Sequence, residues 1–131
     1  MKLQPIGHVE SPLTERSAAP RQADEGAPEA LLVFAPEYAR AMKELHEGQD
    51  VLVLTWLDRA DRSVLAVHPR SDPARPETGV FSTRSPDRPN PIGLHHVRIT
   101  EVDGLAVRVA HLEAVDGTPI VDVKPVLGTE R

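Results

Sequence analysis

The sequence predicts an all-β, β-rich fold spanning residues 1–131 as one domain, built as a closed or nearly closed barrel with one short helix and long proline-rich loops. Thirteen prolines and eight glycines interrupt the chain roughly every sixth residue, which suits short strands and structured loops better than a helical bundle. Only one segment has apolar residues at helical spacing, and about six have the β-branched or alternating pattern of strands.

Taken in order, Leu3 to Glu10 reads as an opening strand, with Pro5 marking an edge. Ser11 to Pro28 is polar and proline-rich and too long for a simple turn. The helix follows. Pro36 sits in its first turn, Tyr38, Met42 and Leu45 recur along one face, and Gly48 closes it after about a dozen residues. Val51 to Leu57 is an unbroken β-prone run, read as a strand buried on both sides, and Ser63 to His68 is a second strand.

Pro69, Pro73, Pro76, Pro86, Pro89 and Pro91 then punctuate a long irregular stretch. Beyond it lies a hairpin in which Val97 and Ile99 alternate with polar residues, as do Leu105, Val107 and Val109. A two-residue Asp103-Gly104 loop would set Ile99 against Arg108. A three-residue loop with left-handed Gly104 pairs Ile99 with Val107 and Val97 with Val109, keeps the apolar face together, and sets His95 opposite His111; it is preferred. The turn Asp116-Gly117-Thr118-Pro119 leads to a last strand, Ile120 to Val126.

Composition narrows the chemistry. Without cysteine the chain has no disulfide framework, thiol nucleophile, thiolate zinc site or iron–sulfur cluster. No apolar stretch has the length of a signal peptide core or a membrane span, which predicts a soluble, cytoplasmic protein with no membrane partner. The net charge of −5 leaves no basic surplus for phosphate binding, so an RNA partner would need basic residues gathered on one face or pooled between subunits. Four aromatic residues are too few for a broad base-stacking platform. The six histidines lack HxH or HExxH spacing, and no metal is predicted.

Two segments concentrate functional groups. In Ser82 to Gly93 three prolines stiffen the backbone while Arg84, Asp87, Arg88, Asn90 and three hydroxyls are displayed from it, a preorganised arrangement suited to a ligand. The plain alternative is a stiff connection with solvated arginines. In Asp116 to Pro125, Gly117 permits a tight turn, and Asp122 and Lys124 share one side of a strand. Taken alone, that second segment reads as a hairpin turn with a surface ion pair worth under about 1 kcal/mol.

Pro20-Arg21-Gln22, Gly79 to Ser85, Arg88-Pro89-Asn90-Pro91-Ile92-Gly93 and Asp116-Gly117-Thr118-Pro119 with Asp122-Val123-Lys124-Pro125 closely resemble the TrmO (TsaA-like, YaeB-like) family, in order and spacing over nearly the whole chain. The resemblance implies a single-sheeted β-barrel, a homodimer, S-adenosyl-L-methionine as cofactor, and methyl transfer to N6 of threonylcarbamoyladenosine beside the anticodon of tRNA. It implies cofactor contacts from Pro20, Arg21, Gln22, Asp58, Arg59, Arg84, the backbone near Leu94, and Asp116, Gly117, Thr118 and Pro119. Asp122 and Asp87 are the candidates to accept or orient the N6 proton.

The chain departs from some members in carrying Asp at position 58 in place of His, and Val126 where others have Tyr after Lys-Pro. Longer members also continue into a C-terminal domain. Two other readings keep the fold: a methyltransferase with a small-molecule acceptor, and a non-catalytic cofactor-binding module.

Overall fold

The computed structural model describes residues 1–15, 27–69 and 72–128. Strands β1 (Gly7–Glu10), β2 (Ala30–Phe34), β3 (Asp50–Trp56), β6 (Ile92–Asp103), β7 (Ala106–Ala110) and β8 (Pro119–Pro125) pair antiparallel in the order β1-β2-β7-β6-β3-β8. β8 returns to β1 through Gly7 opposite Ile120 and His8 opposite Pro119, so the sheet closes into a barrel and leaves no free edge. The barrel is one sheet, as expected, with a small addition. β4 (Ala66–Val67) and β5 (Thr78–Gly79) form a separate two-stranded ribbon within the connection from β3 to β6.

Alternation fills the interior. Val9, Leu32, Phe34, Val51, Val53, Val97, Ile99, Val107, Val109 and Ile120 point inward from the six barrel strands. Leu112 and Ala114 plug one end. β3 corrects the expectation of two-sided burial: Val51, Val53 and Thr55 are buried, whereas Leu52, Leu54 and Trp56 are only half-buried on the outer face. Alternation in a barrel strand therefore turns an unbroken apolar run into an inner core stripe and an outer apolar stripe.

Several other expectations change. The helical segment is a 3-10 helix, Pro36–Met42, with no buried residue of its own; Met42 and Leu45 still pack against the core. Glu44, at φ 80°, turns the chain away before Gly48 is reached. The strand expected over Ser63 to His68 shrinks to Ala66–Val67, because the Ser63 amide and hydroxyl both donate to Asp61 Oδ1 (2.9 and 2.6 Å) and hold a turn there. The opening strand begins at Gly7 and the last strand runs Pro119–Pro125.

The hairpin follows neither expected register. Asp103 pairs with Ala106 across Gly104-Leu105, and a bulge between Ile99 and Glu101 then brings Ile99 opposite Val109. The bulge restores the parity that keeps both residues inward. His95 consequently faces the interior as expected, but not His111, whose backbone turns to φ 58° and whose Nδ1 lies 3.1 Å from the Ala27 carbonyl oxygen.

Candidate functional site

The antiparallel order sorts the connections between the two barrel ends. β1, β3 and β7 run toward one rim, and β2, β6 and β8 start from it. That rim therefore receives the connections 11–29, 57–91 and 111–118, and the other receives the 3-10 segment and the Gly104 turn. Asp58, Arg59, Arg84, Asp87 and Asp116 to Thr118 all fall in connections of the first rim, and Leu94, Pro119 and Asp122 in the first residues of β6 and β8. Pro20, Arg21 and Gln22 lie outside the described residues.

Hydrogen bonds knit the rim. Arg59 Nη1 donates to the Thr14 carbonyl (2.9 Å), and the Ser11 amide donates to Asp116 Oδ1 (3.0 Å), so both segments grip the start of the 11–29 connection. The Asp116 and Gly117 amides donate to Leu13 and Val9 carbonyls (2.6 and 2.7 Å). Gly117 sits at φ 84°, in the left-handed region where a side chain would be strained. Thr118 is buried and its hydroxyl donates to Val115 O (2.7 Å), which makes it a former of the turn.

The proline loop sorts its polar groups in the same way. Arg88 Nη1 donates to the carbonyls of Thr83 and Ser85 (3.0 Å each), bracing the loop from within. Thr83 Oγ1 donates to Val80 O and receives the Ser85 amide. Arg84 is exposed and makes no hydrogen bond or ion pair with another described residue. Nothing in the fold of the described chain uses its guanidinium.

On the outer face, register places Leu54 between Leu94 of β6 and Asp122 of β8. Asp122 is half-exposed, takes the Val123 amide on Oδ1 (2.9 Å), and pairs with Lys124 Nζ at 3.1 Å. Asp87 lies apart from this row, in the loop, where Oδ1 accepts the Asp61 amide (2.9 Å). The strands thus put Asp122 on the face that carries Leu94, and Asp87 ties two turns together.

Two groups escaped the sequence reading. Inside the barrel His95 Nε2 lies 2.7 Å from Thr55 Oγ1 and Nδ1 2.5 Å from Glu113 Oε1, joining β3, β6 and the 111–118 connection. At the rim the Arg62 guanidinium stacks over Trp56, 5.2 Å from the ring centroid. The inward parity of His95 was legible; Glu113 and Arg62 are recruited across 18 and 27 residues by tertiary placement, and no local spacing marks them. Among the described residues no three His, Asp or Glu side chains converge as metal ligands, and no helix is long and apolar enough to cross a membrane.

Residues 8–129 match the family described as tRNA-methyltransferase O N-terminal domain. An S-adenosyl-L-methionine-binding protein of Archaeoglobus fulgidus is 41% identical over 124 residues, covering 95% of this chain and 88% of that protein. A protein of Methanothermobacter thermautotrophicus named "Probable S-adenosyl-L-methionine-binding protein" is 43% identical over 125 residues, covering 95% and 89%. A second Archaeoglobus fulgidus protein with that name is 41% identical over 129 residues, but the match takes in 98% of this chain and only 35% of that longer protein. The crystal structure of TrmO from Pseudomonas aeruginosa superposes with a TM-score of 0.77 at 28% identity, over 98% of this chain and 57% of that one.

Proposed function

Because the chain belongs to the tRNA-methyltransferase O N-terminal domain family, we propose that it is an S-adenosylmethionine-dependent methyltransferase whose acceptor is N6 of threonylcarbamoyladenosine beside the anticodon of tRNA. The observation that carries this reading is that the expected contact segments among the described residues gather on a single rim. The residues there fit the cofactor. Arg84 offers an uncommitted guanidinium for a carboxylate. Leu94 and Leu54 offer an apolar surface for a purine, and the turn at Asp116 offers acceptor groups for a hydroxyl or an ammonium.

When bound, the cofactor supplies a methyl group already activated on a sulfonium. The chain's own contribution is then alignment, which is worth about 7–11 kcal/mol in well-oriented systems, and a place for the proton of a poorly nucleophilic nitrogen. Asp122 is assigned that proton: it is half-exposed, in the row of Leu54 and Leu94, and pairs with Lys124. Asp87, anchored on the Asp61 amide, is assigned to holding the loop.

The half-buried Leu52, Leu54 and Trp56 and the exposed Ile92 and Leu94 support a second copy of the chain covering this outer face, as a homodimer with sites shared across the interface. The net charge of −5, with Arg88 turned into its own loop, favours a second reading in which the acceptor is a small molecule. One experiment separates the two. The dimer is incubated with labelled S-adenosylmethionine and tRNA with or without threonylcarbamoyladenosine, and the nucleosides are resolved by mass spectrometry. Label on the modified adenosine of the first tRNA alone is expected; label on free threonylcarbamoyladenosine with none on tRNA would establish the small-acceptor reading.

A further inference from the structure

We propose that Arg62, a residue to which no cofactor contact is assigned, is the positioning residue that holds the Arg84 loop in its binding geometry, and that Trp56 reports its state. The proposal rests on the cofactor reading above. Arg62 Nε donates to the Pro89 carbonyl (2.7 Å), Nη2 donates to Asn90 Oδ1 (3.0 Å), and Cζ lies over the Trp56 ring, 5.2 Å from its centroid. One planar fork thus joins the end of β3 to the proline loop at three points.

The surrounding bonds show why this fork matters. The Leu57 amide donates to Pro91 O (2.8 Å) and the Asp61 amide to Asp87 Oδ1 (2.9 Å), so the 57–63 turn and the 83–91 loop run side by side. Arg88 fixes the loop's internal shape through Thr83 and Ser85. Internal shape alone does not set where the loop stands relative to the barrel. Among the described residues that placement is shared by the Leu57 and Asp61 bonds, by the Val80 amide on the Leu65 carbonyl (3.0 Å), and by Arg62, which holds both Pro89 and Asn90 and at the same time packs on the β3 terminus. Asp58-Arg59 on one side and Arg84 on the other are consequently locked into one unit. A site so fixed loses less conformational freedom when a ligand binds. Lysine cannot reproduce the hold, because it is a point charge without a planar fork.

Trp56 is the only tryptophan in the chain, so its emission reads this contact without labelling. The experiment compares wild type, Arg62→Lys, Arg62→Ala, Asn90→Ala and the double variant Arg62→Ala/Asn90→Ala. Three readouts are taken: Trp56 fluorescence and amide hydrogen exchange over 82–92 without ligand, and the dissociation constant for S-adenosylmethionine. Expected are altered Trp56 emission and faster exchange in Arg62→Ala before ligand is added, and affinity about tenfold weaker in both Arg62→Ala and Arg62→Lys. The double variant should be no weaker than Arg62→Ala, since the Asn90 side chain acts through a hydrogen bond that Arg62→Ala already removes.

Wild-type affinity in Arg62→Lys would overturn the fork argument in favour of simple charge. Additive losses in the double variant would overturn the coupling to Asn90. Unchanged exchange and emission in Arg62→Ala would overturn the positioning claim, whatever the ligand does. A wild-type protein that binds no cofactor, yet loosens its loop in Arg62→Ala, would contradict the cofactor reading and leave the clamp standing as a mechanical fact.

Discussion

Replacing His95 by alanine is expected to destabilise the protein by about 3–5 kcal/mol, the largest loss foreseen for a polar position, because two buried groups each lose a hydrogen-bond partner at about 1–3 kcal/mol apiece. His95 is 5% exposed and serves two partners at once, Thr55 Oγ1 and Glu113 Oε1. Truncation would strand the Glu113 carboxylate, whose other oxygen is already buried without a hydrogen-bond partner, and leave the Thr55 hydroxyl unmatched inside the barrel. Gly93 packs so close that a Cβ there would stand 2.4 Å from Thr55 Oγ1 and 2.7 Å from His95 Nε2. In a chain of this size the loss corresponds to a melting temperature lower by roughly 10 °C or more. Glu113→Gln preserves an acceptor for His95 and should cost only about 1 kcal/mol. Thermal and urea unfolding measure both, and a His95→Ala protein within about 1 kcal/mol of wild type would contradict the account of the cluster.

Asp122→Ala is expected to slow single-turnover methyl transfer by about a hundredfold or more, with cofactor affinity nearly unchanged. The carboxylate stands on the outer face beside Leu54, bound to the Val123 amide and Lys124, and is not part of the core. Its removal should therefore leave the fold intact and act on the proton of the acceptor nitrogen. Rapid-quench measurement at saturating cofactor isolates that step. A rate within about twofold of wild type would remove Asp122 from the chemistry, and a parallel loss of cofactor affinity would make it a binding residue instead.

Much of the barrel was legible because strand alternation has a period of two and survives errors of register. Val97, Ile99, Val107 and Val109 were assigned to one face and share it, and His95 was placed inward with them. Their partners were not legible, because the bulge between Ile99 and Glu101 is marked by no glycine or proline and shifts every pair beyond it. Tyr38, Met42 and Leu45 recur at α-helical spacing, but in the 3-10 turn Tyr38 stands about a third of a turn from Met42 and Leu45 lies beyond the segment, so the spacing points to the wrong type of turn while finding two of the core contacts, Met42 and Leu45.

The site divides along similar lines. A stiff loop displaying arginines was visible in the run of prolines, yet which arginine faces inward depends on carbonyl geometry, which put Arg88 inside and left Arg84 outside. That Asp58, Leu94 and Asp116 reach one rim follows from strand direction around the closed barrel, a property of topology that no local motif contains. Arg62 was unreadable for the same reason. Its partners Pro89 and Asn90 arrive only when the long connection folds back on the end of β3.

The central claim is that this rim binds S-adenosylmethionine with Arg84 as an anchor. Calorimetric titration of the wild-type protein and of Arg84→Ala tests it most directly. Saturable heat at one site per chain is predicted for wild type, with affinity about tenfold to a hundredfold weaker in Arg84→Ala at an unchanged melting temperature, since a charge-assisted hydrogen bond is lost and no fold contact is. Absence of heat and of thermal stabilisation in the folded wild-type protein at saturating ligand, or equal affinity in the two proteins, would contradict it.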